Sequence, residues 1–261
     1  MDRKKFSIIT VCYNAEKYIR VTIESLLCQT CMDYEYIIKD GLSTDNTLEI
    51  AKSLLDGKHN VQIISSADKG IYDAMNQAVE MAKGEYIFFL NAGDCFMNQN
   101  VLANVDVISS NGESDILYGN VVQVKEEQRL IYKYGMICKS KLYFSIGACI
   151  CHQAMFAKRD LFHEKNFDIT YKVCADREWQ LYQMKKKSVF TPMDVEVASV
   201  LVDGFSSTHI KELEEEVVKC LDKYCTSTSW IYKTILKIKK SHLILGGMRV
   251  LEKFVLTKKL K

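Results

Sequence analysis

With 261 residues and a formal charge of +2, the chain is long enough for a full hydrophobic core and for one domain with an appendage. A near-neutral balance, with no basic stripe carrying interleaved aromatics in the first 200 residues, excludes nucleic acid as an expected partner. Most of the ten cysteines lie in apolar or strand-like runs and read as free buried thiols. No run of eighteen apolar residues occurs and the first apolar run is too short for a signal-peptide core, so a reducing cytoplasm is the expected compartment.

Phe6 to Cys12 is a β-branched apolar run, a strand, closing on Tyr13-Asn14; Ala15 to Leu27 then shows helical spacing through Ile19, Ile23, Leu26 and Leu27. Tyr34 to Lys39 is a second strand, stopped by Asp40-Gly41-Leu42-Ser43-Thr44-Asp45-Asn46-Thr47 before a helix over Leu48 to Leu55. Val61 to Ser65 is a third strand, and Asp68-Lys69-Gly70 introduces a helix from about Ile71 to Lys83. Glu85 to Leu90 is then almost continuously apolar, as expected of a strand buried on both faces of a parallel sheet, and Gly84 and Gly93 bound it. This alternation predicts an α/β fold with a doubly wound, mostly parallel sheet flanked by helices, whose strand ends open on one edge. Asp94 stands just past the carboxyl end of the fourth strand, where a carboxylate can meet a hard cation and a phosphate; the competing reading is a turn Asp.

Further on, Ile116 to Val122 and Gln128 to Tyr134 read as paired strands, Leu161 to Asp168 as a turn segment, and Ala175 to Lys185 as a helix. Ser188 to Phe190 and Val195 to Val202 read as strands on either side of the lone Pro192, and Ile210 to Tyr224 as a helix. The expected division is a domain over 1–225, with halves meeting near residue 115, followed by a tail over 226–261. From residue 233 that tail carries nine Lys and Arg against Glu252 alone, interleaved with apolar residues such as Trp230, Ile235 and Phe254. It is read as a basic amphipathic helical tail that contacts anionic membrane as a peripheral element, or else packs on the domain.

In order along the chain stand Thr10-Val11-Cys12-Tyr13-Asn14, Asp40-Gly41-Leu42-Ser43-Thr44-Asp45, Asp68-Lys69-Gly70-Ile71-Tyr72-Asp73-Ala74-Met75-Asn76, Asn91-Ala92-Gly93-Asp94, Ile150-Cys151-His152-Gln153 and Cys174-Ala175-Asp176-Arg177-Glu178-Trp179. The ordered set resembles glycosyltransferase family 2, over roughly residues 5 to 210. The resemblance implies a GT-A fold, a nucleotide-sugar donor, a Mg²⁺ or Mn²⁺ ion, and inverting transfer to a saccharide or polyprenyl-linked acceptor in capsule, O-antigen or other surface-polysaccharide synthesis. It implies Asp94 as metal ligand and Asp176 as general base. Thr10, Val11, Tyr13, Asn14, Asp40, Asp68, Lys69, Asn76, Asn91, Ala92 and Gly93 would lie on the donor, and His152 and Gln153 on the acceptor. Three departures stand out: Asn91 holds the first place of an acidic metal motif usually written Asp-x-Asp or Asp-Asp, Asn46 replaces a common Gly, and Ala78 another. Glu178 competes with Asp176 for the base; two residues apart on a helix, the pair faces different ways, so one alone points into a site. The rival readings are a nucleotidyltransferase, against which the chain has no Gly-rich, Lys/Arg-bearing loop after the first strand to hold a triphosphate, and a non-catalytic relative, for which Asn91 is the one hint.

Overall fold

The computed structural model describes residues 4–110, 112–125, 128–132, 149–201, 208–240 and 257–259. In chain order the elements are β1 (Phe6–Cys12), α1 (Ile19–Leu27), β2 (Tyr34–Asp40), α2 (Thr47–Leu55), β3 (Val61–Ser65), α3 (Ile71–Met81), β4 (Tyr86–Phe89), β5 (Cys95–Phe96), α4 (Val101–Ser110), β6 (Ile116–Lys125) and β7 (Gln128–Tyr132). A 3₁₀ turn (His152–Ala154) follows, then β8 (Met155–Lys158), α5 (Arg159–Glu164), α6 (Ala175–Lys186), β9 (Phe190–Leu201), α7 (Ile210–Tyr224), α8 (Ser229–Lys240) and β10 (Thr257–Lys259).

The sheet runs β10-β7-β6-β8-β4-β1-β2-β3. Strands β4, β1, β2 and β3 are parallel, as the alternating pattern predicts. Beyond β4 the sheet turns antiparallel through β8, β6 and β7, with β9 parallel to β6. Because β2 and β3 lie to one side of β1 and β4 to the other, winding reverses between β1 and β4, the switch point at whose carboxyl strand ends open α/β sheets hold their ligands in a crevice.

Strand periodicity divides the core in two. Ile9 and Val11 of β1 and Ile87 and Phe89 of β4 face the layer holding α3, α6 and α7, through residues such as Met75, Trp179 and Val217. Phe6, Ile8 and Cys12, with Phe88 and Leu90, face α1, α2 and α4 through Ile23, Ala51 and Leu102. Phe88 stacks on Phe96 and Phe156 with centroids 5.2 and 4.3 Å away, so truncating it to Ala would cost about 3–5 kcal/mol. At Gly84 the chain enters β4 hard against β1: a Cβ there would lie 2.6 Å from the Ser7 backbone nitrogen, so no larger residue fits.

Several segments differ from the reading of the sequence. Helix α4 was not expected, and α5 occupies Arg159–Glu164 where a turn segment was read. The two short strands expected around Pro192 are one continuous β9. Pro192 sits opposite Tyr118, beside the point where the β6 to β9 register shifts, and a proline without an N–H is tolerated at such an irregularity. Residues 149–151 form no strand, and the strand of this region is β8, after the 3₁₀ turn. The nine described cysteines are free, although Cys28 and Cys31 form a Cys-x-x-Cys spacing after α1. Within the tail, α8 packs on α7: Leu236 is buried, Tyr232 lies against the core, and Lys233 pairs with Asp222 at 2.7 Å, whereas Trp230 is 63 % exposed. Residues 241–256 lie outside those described, and β10 pairs antiparallel with β7. Among the described residues no helix is long and apolar enough to cross a membrane.

Candidate active site

Three loops leave the carboxyl ends of β1, β2 and β4 around this switch point. The first leaves β1 at Tyr13 and Asn14. Asn14 takes a left-handed conformation (φ 48°), which its short side chain tolerates, and its Oδ1 accepts the Thr44 N–H at 2.9 Å while its own N–H donates to Ser43 Oγ at 2.8 Å. That ties the β1 loop to the β2 loop, leaving Tyr13 65 % exposed. Leu42 is also left-handed (φ 65°) and exposed. Backbone strain of this kind at a strand edge marks loops held in shape by their surroundings.

The second loop follows β2. Asp40 is fully buried, and its carboxylate accepts from the Ser43 N–H at 3.0 Å, the Ser43 hydroxyl and the Ser65 hydroxyl at 2.7 Å. Burial would raise this carboxyl, but those hydrogen bonds hold it below the usual carboxylate range. Beside it Lys39, fully buried, donates to the Ser66 carbonyl at 2.7 Å and to Asp68 Oδ2 at 3.2 Å. Asp68 Oδ1 in turn receives the Gly70 N–H at 3.0 Å, so Lys39 fixes the turn that starts α3.

The third loop is Asn91-Ala92-Gly93-Asp94. Gly93 has φ +102°, open to glycine at no steric cost, and the turn is held by the Asp94 N–H on the Asn91 carbonyl and by the Gly93 N–H on Thr22 Oγ1, at 2.9 and 2.8 Å. Asp94 is 7 % exposed, and burial pushes its carboxyl up from 3.8 to about 6. Its Oδ2 accepts from Gln153 Nε2 at 3.0 Å.

Asp176 enters this cluster from the far half of the sheet, at the start of α6. Asn91 Nδ2 meets His152 Nε2 at 3.0 Å, and His152 Nδ1 meets Asp176 Oδ2 at 3.2 Å. With Asn91 donating to Nε2, the imidazole carries its proton on Nδ1 and donates it to Asp176. Adjacent residues of the one 3₁₀ turn therefore reach both carboxylates, Gln153 holding Asp94 and His152 holding Asp176. Burial would raise Asp176, but the hydrogen bond from His152, with the Arg177 N–H and guanidinium, holds it below the usual range; the expected upward pull of burial is outweighed.

Glu178 points elsewhere. It is fully buried, and it accepts from Lys223 Nζ at 2.7 Å and Tyr224 Oη at 2.5 Å, with Lys165 Nζ at 3.1 Å. It tethers α6 to α7 and lies off the cleft, as the helical spacing requires. Thr10 and Asn76, expected on the donor, are also engaged inside the protein. Thr10 Oγ1 donates to the Leu90 carbonyl at 2.6 Å, pinning β1 to the end of β4, and the Asn76 amide bonds the Phe167 backbone twice, at 2.9 and 3.0 Å. Val11 is buried in the core, whereas Lys69 is exposed, its N–H on Asp73. Ala92 packs partly against the core.

Sequence reasoning passed over three side chains. Lys39 was signalled only by a charge inside a buried strand. Tyr72, inside a quoted motif, donates to the Val173 carbonyl at 2.8 Å and reaches Asp176 Oδ1 at 3.2 Å. Glu216, which nothing in the sequence marked, accepts the N–H groups of Lys172, Val173 and Cys174 at 2.7, 2.9 and 2.9 Å and caps α6 from α7.

Residues 7–174 match the family described as Glycosyl transferase family 2. The PGL/p-HBAD biosynthesis glycosyltransferase of Mycobacterium bovis (strain BCG / Pasteur 1173P2) is 34% identical over 218 residues, 82% of this chain and 83% of that protein. Chondroitin synthase of Escherichia coli is 28% identical over 210 residues, 79% of this chain and 28% of that protein. Among solved structures, S. aureus TarS 1-349 in complex with UDP-GlcNAc aligns with a TM-score of 0.66 at 19% identity, over 83% of this chain and 66% of that one. Glucosyl-3-phosphoglycerate synthase from Mycobacterium tuberculosis, in complex with Mn²⁺, UDP and glucosyl-3-phosphoglycerate, aligns with a TM-score of 0.62 at 12% identity, over 85% of this chain and 80% of that one. The fold these structures share with it is the GT-A fold, and the chain is a glycosyltransferase that belongs to glycosyl transferase family 2.

Proposed function

We propose that this glycosyltransferase moves a sugar from a nucleotide-sugar donor to a saccharide acceptor carried on a lipid, in surface-polysaccharide or glycolipid synthesis, with inversion at the anomeric carbon. The observation that carries the reading is the pairing of two carboxylates through one turn: Asp94 on Gln153 and Asp176 on His152, across the crevice where the sheet reverses. Transfer needs one group to neutralise a leaving diphosphate and another to take the acceptor's proton, and those are two separate sites a short distance apart.

A divalent cation suits the first. Asp94 is a buried carboxylate with a raised pKa, and Asn91 Oδ1 is buried without a hydrogen-bond partner, so two hard oxygen donors lack a positive charge. Among the described residues no group of three or more His, Cys, Asp or Glu could hold a metal, so donor phosphates would complete the coordination. When bound, Mg²⁺ or Mn²⁺ supplies charge for the diphosphate as it leaves. Asn91 in place of a carboxylate weakens the ion's hold in the absence of the donor.

Asp176 then acts as the base. Its carboxylate, held ionised by His152 and Arg177, accepts the hydroxyl proton as the acceptor oxygen attacks the anomeric carbon and the bond to the diphosphate breaks. Tyr13, Asn14, Asp68 and Lys69 line the nucleotide side, and about 1–115 forms the donor half and 116–225 the acceptor half. The basic tail over 226–261, with Trp230 exposed on α8, brings the site to an anionic membrane carrying the acceptor.

A thermal-shift screen of nucleotide sugars with Mn²⁺ identifies the donor: at 100 times its Kd a ligand adds about 2.7 kcal/mol of stability. Product from that donor is then read by NMR. An anomeric configuration opposite to the donor's supports the reading, and a retained one contradicts it.

A further inference from the structure

The carboxylate of Asp176 has a partner that neither the motif nor the base chemistry accounts for. Tyr72 sits on the second residue of α3, 7 % exposed, and its hydroxyl lies 2.8 Å from the Val173 carbonyl and 3.2 Å from Asp176 Oδ1. A phenol has one proton and two acceptors are within reach, so the hydroxyl can donate fully to only one of them at a time. The Val173 carbonyl is a fixed target, since Glu216 accepts the N–H of Val173 and of both its neighbours and locks that backbone. The Tyr72 ring is equally fixed, packed on Phe167 with centroids 5.4 Å apart. What remains free is rotation of the hydroxyl hydrogen.

We propose that Tyr72 is a positioning residue for the catalytic base, its hydroxyl turning from Asp176 Oδ1 to the Val173 carbonyl as the carboxylate takes up the acceptor's proton. The proposal rests on the reading of Asp176 as the base. Before transfer, Asp176 is ionised and accepts from Tyr72, from His152 Nδ1–H and from the Arg177 N–H, which leaves one direction open for the incoming hydroxyl. In the transfer step the acceptor O–H bond breaks and its electron pair forms the bond to the anomeric carbon. The bond from that carbon to the donor diphosphate breaks, with the pair leaving on the phosphate oxygen, and the proton ends on Asp176. Oδ1 already accepts from Tyr72 and the Arg177 N–H, so the proton arrives on Oδ2, and as Oδ1 loses its charge the Tyr72 hydrogen turns to the Val173 carbonyl, so the phenol is satisfied in both protonation states and only a hydrogen turns. The phenol keeps its proton throughout, because burial and the charge of Asp176 push its pKa well above the ordinary tyrosine value.

Other groups around Asp176 bear on its titration: His152 from the 3₁₀ turn, Arg177 on its own helix, and the thiols of Cys149, Cys151, Cys174 and Cys220. These thiols are all raised by burial and stay neutral, and His152 and Arg177 are present in wild type and variants alike, so a moved limb reports the lost phenol against the same neighbours.

The experiment is the pH profile of kcat for Tyr72→Phe against wild type. Losing a hydrogen bond to a charged group costs roughly ten- to a hundredfold, so kcat should fall by that factor with KM for the donor nearly unchanged. The acidic limb should also move to higher pH, as the carboxylate has lost a donor. A fluorinated tyrosine at position 72 keeps the packing and donates more strongly, so it should move the limb to lower pH; it serves equally if the Phe variant fails to fold. Wild-type kcat with an unmoved limb in both variants overturns the proposal. Asp176→Asn, run alongside, separates the two claims: if it transfers normally, the base assignment fails, whereas if it is inactive and the Tyr72 variants behave as wild type, only the role of Tyr72 fails.

Discussion

Replacing Asp94 with Asn should stabilise the ligand-free protein while removing its activity. Asp94 is nearly enclosed and its carboxyl is pushed from 3.8 to about 6 by burial. A folded pKa above the unfolded one means that the native state holds the proton more tightly. The contribution is therefore fully favourable below pH 4, fades as pH rises through about 6, and is gone above it. A difference of about two pH units between the two states is worth about 3 kcal/mol. At pH 7 the ionised Asp94 costs the apo fold that much, and a neutral Asn of the same shape, able to accept the Gln153 amide, avoids it. Urea denaturation of both proteins at pH 4.5 and pH 7 measures the effect. The variant should be more stable by up to about 3 kcal/mol at pH 7 and by little at pH 4.5, whereas Mn²⁺ with nucleotide should stabilise only the wild type. A variant less stable than wild type at pH 7, or a difference that does not change with pH, would refute the argument that this carboxylate is buried without its counter-charge.

Glu178→Gln should act on stability and leave the chemistry alone: breaking its buried contacts to Lys165, Lys223 and Tyr224 costs about 3–5 kcal/mol, seen as a lower Tm, with kcat per folded molecule retained. Asn76→Ala should lose both bonds to the Phe167 backbone, about 2 kcal/mol in urea denaturation, with donor Kd unchanged; a large loss of donor affinity at unchanged stability would return Asn76 to the donor site. Cosedimentation with anionic liposomes should be strong at low salt, fall steeply as salt rises, and disappear in a chain ending at Thr226, since each Lys or Arg near such a surface contributes about 1 kcal/mol. Equal binding by the shortened chain would show that the tail is not the contact.

Where a single local rule governed, the fold was legible. The parallel half, β1 to β4 with its three helices, follows from apolar runs alternating with helical spacing, and the two-sided burial of Phe88 and Phe89 follows from a run without polar interruption. The antiparallel half was less so, because β9 passes through Pro192 and its pairing depends on a register shift that no local pattern records. At the site, Asp94 and Asp176 were named from motifs, and the opposite facing of Asp176 and Glu178 from helical geometry alone. What joins them was not legible. That Thr10 serves Leu90, that Asp40 serves Ser65, and that Tyr72 and Glu216 support the start of α6 are contacts between residues far apart in the chain, set by tertiary packing that no local pattern records.

The central claim is that Asp176 takes the acceptor's proton while donor binding rests on other residues. It is tested most directly by Asp176→Asn, measuring donor affinity by calorimetry and sugar transfer in single turnover on the same preparation. The account predicts a donor Kd close to that of wild type and transfer slower by roughly 10²–10⁴-fold, the range a general base supplies. Transfer at the wild-type rate would contradict it.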